Sequence, residues 1–326
     1  MSPELLQFHS DRRELDGLKD IAGEFSHLGT YTRIPEPDGL HLAIAMTHRL
    51  VMAIVRLQAA GNPRAAIVAA LGDARAVHAE SPFGRRLQQW PRGYPGDFET
   101  VEYLLQQRNH APAGRLSYFI EQYALDSPIA QQHRNKVDLQ AREVLATVRR
   151  HEGAGVPRVL LLAAGGSPDL RQVEHALVDE PLAITLLDQD KDALAFSGSN
   201  LPLLRNRLSF VHANVIRGLP AVAKRGPFDL VLAGGLFDYL PDRVAISVLR
   251  TAVKRLLRDG GRFVFTNIKC GNPYQPWIEH MADWFLIHRS AEDVLDLCTA
   301  AGFKEDSVVI DTDRTGLALI VTCQRS

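Results

Sequence analysis

The sequence predicts an α/β protein: a doubly wound, mainly parallel seven-stranded sheet with a C-terminal antiparallel hairpin, preceded by an all-helical N-terminal domain. Three observations carry this. After Val156, seven short apolar runs follow one another, most of them separated by helical stretches of about 10 to 15 residues, the pattern of right-handed crossovers between parallel strands. The last two runs are joined only by Asp311 to Gly316, too short for a crossover helix, so they pair antiparallel at the sheet's edge. No strand is demanded before residue 157, and the domains are expected to divide as 1–150 and 151–326.

Taken in order, the helical half begins to show its periodicity after the turn signal Pro35-Glu36-Pro37-Asp38-Gly39. There Leu42, Met46, Leu50, Ile54 and Leu57 fall on one helical face, and Gly61-Asn62-Pro63 ends the run. PRAAIVAALGDARAVHAE is expected to form the next helix, with a proline in its first turn and a break at Ser81-Pro82-Phe83-Gly84. FETVEYLLQQR and GRLSYFIEQYAL give two more. A further helix starts with Ser127 as cap and Pro128 in the first turn and runs to about residue 151. The strands are then RVLLLAA, AITLLD, LSFVHAN, FDLVLAG, GRFVFTNI, VVIDTD and ALIVTC. No internal repeat or low-complexity segment interrupts them.

Composition excludes several classes of function. Of 326 residues, 46% are hydrophobic and 23% charged, enough for sizeable cores. Lys and Arg number 37 against 38 Asp and Glu, so no overall positive field exists to hold nucleic acid or an anionic membrane. No apolar run approaches the roughly 18 residues of a membrane span, and the opening MSPELLQFHSDRRELDG is charged where a signal peptide is apolar, so a cytoplasmic protein is expected. Cys270, Cys298 and Cys323 are widely spaced without a CxxC pair, and no His-x3-His spacing occurs, so neither a disulfide framework nor a metal site is expected. Oligomeric state is left open.

In an open α/β sheet, ligands gather at the carboxyl ends of the strands where strand order reverses. The first strand ends in Ala163-Ala164-Gly165-Gly166-Ser167, small residues that let a ligand reach the backbone amides of the next helix, or that simply make a tight turn. The second ends in Asp188, followed by Gln189 and Asp190. An acid at about that spacing can accept both hydroxyls of a ribose, whereas Asp190 suits a helix cap. The third ends in His212-Ala213-Asn214-Val215, where a polar side chain can meet an adenine edge. Together these strand ends point to a nucleoside.

Over residues 156 to 326 this order resembles the Rossmann-like class I S-adenosylmethionine-dependent methyltransferases, with Asp188, Asn214 and the terminal hairpin matching. The glycine turn departs: the usual acid falls at Leu161, and the usual glycines fall at Ala163, Gly165 and Ser167. A narrower set, GYPGDF at 93–98, Arg134-Asn135, GLFDYL at 235–240, Asn267, Asn272-Pro273, Trp277, Glu279, Trp284 and Arg289, is similar to bacterial proteins grouped with the methyltransferases of fatty-acid methyl-ester signal biosynthesis. The cofactor implied is S-adenosylmethionine. The resemblance places Arg134, Ala163, Ala164, Gly165, Asp188, Gln189, Asn214, Val215 and Gly234 at the cofactor. It places Tyr94, Asn135 and Tyr239 at the reaction centre, and Asp97, Asn267, Glu279 and Arg289 toward the substrate.

Each of these has a plainer reading beside it. GYPGDF is a capped turn with Asp97 as N-cap, or a lid whose Tyr94 leans on a sulfonium for about 0.5 to 2 kcal/mol. Arg134 suits a carboxylate or a surface salt bridge. Asp238 can cap the helix beginning near Pro241, Tyr239 can orient a nucleophile, Glu279 or His280 can take a proton, and Arg289 can bind a carboxylate. The Asn/Asp-Pro-Pro-aromatic run of amide and amine methylation is absent after the fourth strand. The function expected is therefore methyl transfer to an oxygen, carboxylate or hydroxyl, of a small molecule in secondary or signal metabolism. The alternatives are cyclisation of the cofactor to azetidine-2-carboxylate and methylthioadenosine, and a non-catalytic cofactor sensor.

Overall fold

In the computed structural model, residues 3–36, 38–151 and 155–326 are described; Pro37 of the turn signal lies outside them. Eight helices come first: α1 (Pro3–Gly29), α2 (Asp38–Ala59), α3 (Arg64–Ala70), α4 (Gly72–His78), α5 (Pro82–Gln89), α6 (Phe98–Gln106), α7 (Leu116–Asp126) and α8 (Pro128–Arg150). Then follow β1 (Arg158–Leu162), α9 (Pro168–Leu177), β2 (Ala183–Asp188), α10 (Lys191–Ser199), β3 (Leu208–His212), α11 (Val215–Ala223), β4 (Phe228–Ala233), α12 (Asp242–Thr251) and β5 (Leu257–Ile268). The chain ends with α13 (Gln275–His280), α14 (Ala291–Ala301), β6 (Val308–Thr312) and β7 (Ala318–Gln324).

The seven strands stand in the order β3-β2-β1-β4-β5-β7-β6, parallel from β3 to β5 and antiparallel through β7 and β6. The expected fold class is the observed one. β4 is buried at every position because both faces are covered, which is why it reads as an unbroken apolar run. On one face Leu160, Leu162, Val231, Ala233 and Phe265 pack with Leu219, Val248 and Leu297 of α11, α12 and α14. On the other, Val159, Leu161, Ile184 and Leu232 pack with Val144 and Val148 of α8, Leu170 of α9 and Leu194 of α10. Each fully buried Leu or Val contributes about 1.5 to 3 kcal/mol.

The chain divides into two units, Met1–Ala130 with Pro273–Phe285, and Gln131–Asn272 with Leu286–Ser326. The boundary expected at residue 150 is thus moved, for a physical reason: α8 covers one face of the sheet through Val144 and Val148, and its Glu143 carboxylate meets Arg262 of β5 at 2.5 Å. Conversely, the segment after β5 belongs to the helical unit. Trp277 of α13 lies edge-on to Tyr123 at 5.6 Å, and Asp283 is held by Arg64 and Arg75, each at 2.5 Å.

Within the helical unit, Met46, Leu50, Ile54 and Leu57 of α2 are buried as their spacing predicts. By length and composition α2 would suffice for a membrane span, which corrects the reading that no run approaches that length; its Arg49 pairs with Glu24 of α1 at 2.6 Å. The run predicted as one helix from Pro63 is two, α3 and α4, divided at Leu71 and Gly72, where glycine weakens propagation. The break expected at Ser81-Pro82 is present, α4 ending at His78, and the same residues start the next helix. Ser81 Oγ accepts from Gly84 N at 3.1 Å and Pro82 occupies the first turn of α5. Gly84 is required there, since a Cβ would stand 2.2 Å from the His78 carbonyl oxygen.

Candidate functional site

Strand order reverses between β1 and β4, so the loops after those strands flank the crevice in which a sheet of this kind takes a ligand. The β1 loop is tightly wound: Ala163, Gly165 and Ser167 all have left-handed backbones, with φ of 51°, 54° and 47°. For Ala163 and Ser167 that conformation costs about 1 to 2 kcal/mol each. The neighbouring strand holds it. Ala164 N donates to Leu187 O at 3.2 Å, and Gly165 N donates to Asp188 Oδ2 at 2.8 Å. Ser197 of α10 adds a hydroxyl donated to Gly165 O at 2.9 Å.

Asp188 thus does two things at the end of β2. Its other oxygen accepts from Asp190 N at 2.8 Å, and the Gln189 amide also donates to the carboxylate. Burial raises its pKa above the ordinary carboxylate value, the Asp190 and Gly165 amides opposing. Asp169 at the start of α9 is buried and accepts from Leu170 N, and burial pushes its carboxyl up to about 6. Sequence reasoning missed Asp169 and Ser197, whose burial depends on the turn's folded path. Gln189 Oε1 accepts from Asn214 Nδ2 at 3.2 Å, while Asn214 Oδ1 caps α11 at Ile216 N and Asp190 caps α10. Val215 is buried in the core below.

After β4, Gly234 touches α8: a Cβ there would stand 2.3 Å from the Gln140 amide. Gly235 N donates to Thr266 Oγ1 at 3.1 Å, and Phe237 is fully buried against Phe263 and Phe265. Asp238 is not the cap of α12, whose first flanking residue is Pro241 with no side-chain cap. Its carboxylate is buried instead, accepting from Ile268 N at 2.5 Å and from Lys136 Nζ of α8 at 3.0 Å. Lys136 is itself 4% exposed. Tyr239 is exposed, at 38%.

Arg289 braces the same loop from beneath. Nε and Nη2 donate to Asp242 Oδ1, Nη2 to Leu240 O, and Nη1 to Phe237 O and Asn267 Oδ1, at 2.5 to 3.0 Å. All its N–H groups are so engaged, which corrects the expectation that it meets a substrate carboxylate. Asn267 is fully buried and donates to Ile268 O and Ile287 O, so its amide is occupied as well. In α8, Asn135 donates to Asp313 Oδ2 at 2.8 Å and holds the terminal hairpin, and Arg134 Nε donates to Gln131 at 2.8 Å.

The other expected site residues belong to the helical unit. Tyr94 is half-buried between α5 and α6. Asp97 is the N-cap of α6, accepts from Thr100 N at 3.0 Å and pairs with Arg86 at 2.5 Å. Glu279 accepts from Gln275 at 2.8 Å, and the neighbouring His280 is buried, its imidazole held below the usual value by that burial. The sheet unit therefore offers, on its own, a wound amide turn beside a buried carboxylate, and a polar loop braced by Lys136 and Arg289. That arrangement can hold a diol beside an acid and fix a reacting group at the end of β4.

No family model matches the chain, and no curated protein matches its sequence. A crystal structure of a protein from Bordetella parapertussis, described as a possible exported protein, covers 100% of this chain and 99% of its own at 17% identity and TM-score 0.58. It shows a shared fold along the whole chain. The pyocyanin biosynthetic protein PhzM is 17% identical over 79% of this chain and 72% of its own, with TM-score 0.46. The magnesium protoporphyrin IX methyltransferase of Synechocystis PCC 6803, with bound SAH, is 14% identical over 61% and 85%, with TM-score 0.43.

Proposed function

We propose that the sheet unit binds S-adenosylmethionine and transfers its methyl group to an oxygen of a small molecule. The observation that carries this is Asp188: a buried carboxylate at the end of β2, where a ribose diol would meet it, that also fastens the β1 turn through Gly165 N. The donors present fit the group. Asp188 would take the ribose, Asn214 and Gln189 the adenine edge, and the wound turn of residues 163–167 would lie against the polar arm. When bound, the sulfonium supplies an already activated methyl group. The protein then has to orient the acceptor in line and keep water out, which the loop of Gly234 to Tyr239, held by Lys136 and Arg289, is rigid enough to do.

A second reading is favoured by Leu161, which is buried in the core where the resemblance expects an acid for the cofactor's ammonium. An amine left unpaired can attack the γ-carbon of its own chain, breaking the bond from that carbon to sulfur and releasing methylthioadenosine. One incubation with S-adenosylmethionine, analysed by mass spectrometry, separates the outcomes. S-adenosylhomocysteine supports transfer, methylthioadenosine supports cyclisation, and an unchanged but tightly bound cofactor supports a sensor.

A further inference from the structure

Two side chains near the β4 loop have buried polar atoms without partners among the described residues. Gln132 is 0% exposed, and neither its Oε1 nor its Nε2 is hydrogen-bonded. His288 Nε2 is likewise buried and unbonded. Native proteins seldom leave such atoms unmatched, so each calls for an explanation, a catalytic role among them. Both flank the Lys136–Asp238 pair. Gln132 stands one helical turn before Lys136, on the same side of α8. The backbone before His288 donates from Ile287 N to Asp238 O at 2.7 Å, and Arg289 N donates to Ile268 O at 3.0 Å, so residue 288 is pinned between the β4 loop and the end of β5. Burial holds the imidazole below its ordinary pKa, with the Asp238 carboxylate opposing.

Charge decides what such a site accepts. Lys136 and Asp238 neutralise each other at 3.0 Å, and the N–H groups of Arg289 are all engaged, so neither of these two cations is left for a carboxylate. A carboxamide with donor and acceptor both open, together with a neutral imidazole, suits an uncharged hydroxyl compound. We propose that Gln132 and His288 form the acceptor-binding pair, that the acceptor is a neutral alcohol or phenol, and that His288 Nε2 takes its proton. This rests on the methyl-transfer reading. The hydroxyl oxygen bonds to the methyl carbon, the methyl–sulfur bond breaks with its electron pair remaining on sulfur, and the hydroxyl proton passes to His288 Nε2. Asp238 stabilises the resulting imidazolium, which returns the proton to solvent as the product leaves.

The test uses the full chain with Gln132→Met, Gln132→Leu, His288→Asn and His288→Gln. Melting temperature is measured without ligand, S-adenosylmethionine affinity by calorimetry, and S-adenosylhomocysteine formation with catechol as the hydroxyl probe and benzoate as the carboxylate probe. Wild type is expected to methylate catechol and not benzoate. Gln132→Met or Gln132→Leu should melt higher, because an unmatched amide is removed, while catechol turnover falls about tenfold or more. The His288 variants should lose about a hundredfold or more with cofactor affinity within about twofold of wild type. Higher melting with unchanged turnover, preference for benzoate, or a cofactor-bound wild type inert toward catechol overturns the proposal. Absence of cofactor binding in wild type is a different result: it overturns methyl transfer itself and this inference with it.

Discussion

At the scale of single residues, Asp188 couples ligand and turn, so removing its carboxylate should do two kinds of damage. Asp188→Ala is expected to weaken S-adenosylmethionine binding by about 1.5 to 3 kcal/mol in calorimetry, with the fold retained. Wild-type affinity in a folded variant would take Asp188 out of the site. Because burial raises its pKa above 3.8, a charged Asp188 is lost at a higher pH than an ordinary aspartate would be. Affinity should accordingly fall on acidification before the surface carboxylates titrate. The Lys136–Asp238 pair gives a second expectation: Lys136→Met alone strands a buried carboxylate and costs about 3 to 5 kcal/mol, whereas adding Asp238→Asn restores much of the loss. Equal urea midpoints for the single and double variants would contradict it. These residues differ in how far the sequence announces them. Asp188 is legible because a strand end fixes its place, and Asn214 likewise; Lys136 lies 102 residues from its partner, and nothing local in α8 marks it. Arg289 was legible as a functional type but not in its role, since the carbonyls of Phe237 and Leu240 that absorb its donors are brought to it only by the fold.

At the scale of elements, the strands other than β5, which begins earlier at Leu257, were readable to within about two residues because interior parallel strands must be apolar on both faces, as β4 is. Helix breaks were less readable: Ser81-Pro82 and Leu71-Gly72 carry both start and stop signals, and packing chooses between them. His78 shows how the helical elements are joined. Its ring stacks on Phe25 of α1 with centroids 5.1 Å apart, Nδ1–H donates to Ala74 O at 3.0 Å, and Nε2 accepts from Trp277 Nε1 of α13 at 3.4 Å. That pattern requires the neutral imidazole, and burial lowers its pKa from 6.5 to about 4. Here the unfolded chain binds the extra proton between those values. Stability from this group is therefore complete above about pH 6.5, declines as pH falls, and by about pH 4 has dropped by roughly 3 kcal/mol. His78→Gln, which cannot titrate, should flatten the urea midpoint between pH 7 and 4 relative to wild type. An identical pH slope in both proteins would assign the acid sensitivity elsewhere.

At the scale of the whole molecule, the two units are interleaved in sequence: the chain leaves the sheet unit after Asn272, contributes Pro273–Phe285 to the helical unit, and returns at Leu286. That crossing was hidden from sequence because α13 looks like an ordinary crossover helix, and only its arginine partners reveal where it packs. Arg64 donates to Glu279 O at 2.8 Å, Arg75 donates to His280 O, and Gln88 donates to Met281 O at 2.9 Å, so the open carbonyls of α13 are satisfied from α3, α4 and α5. Asp283 closes the segment at φ 50°, held by both arginines. Its conformation makes a sharp prediction. Asp283→Ala loses both ion pairs and keeps the left-handed strain, whereas Asp283→Gly loses the pairs but not the conformation, so glycine should be the more stable of the two by about 1 kcal/mol, reversing the usual order. Arg64 is 39% exposed and Asp283 22%, so screening limits the loss in Asp283→Ala to about 1 to 3 kcal/mol. Since Leu286 to Ser290 follows directly and is bonded to Asp238 and Ile268, hydrogen exchange in that variant should rise together over residues 64–78 and 275–290, while β1 to β4 stay protected. Faster exchange confined to 275–285 would mean that the segment is an insert whose loosening reaches neither the helices that cap it nor the strand that follows.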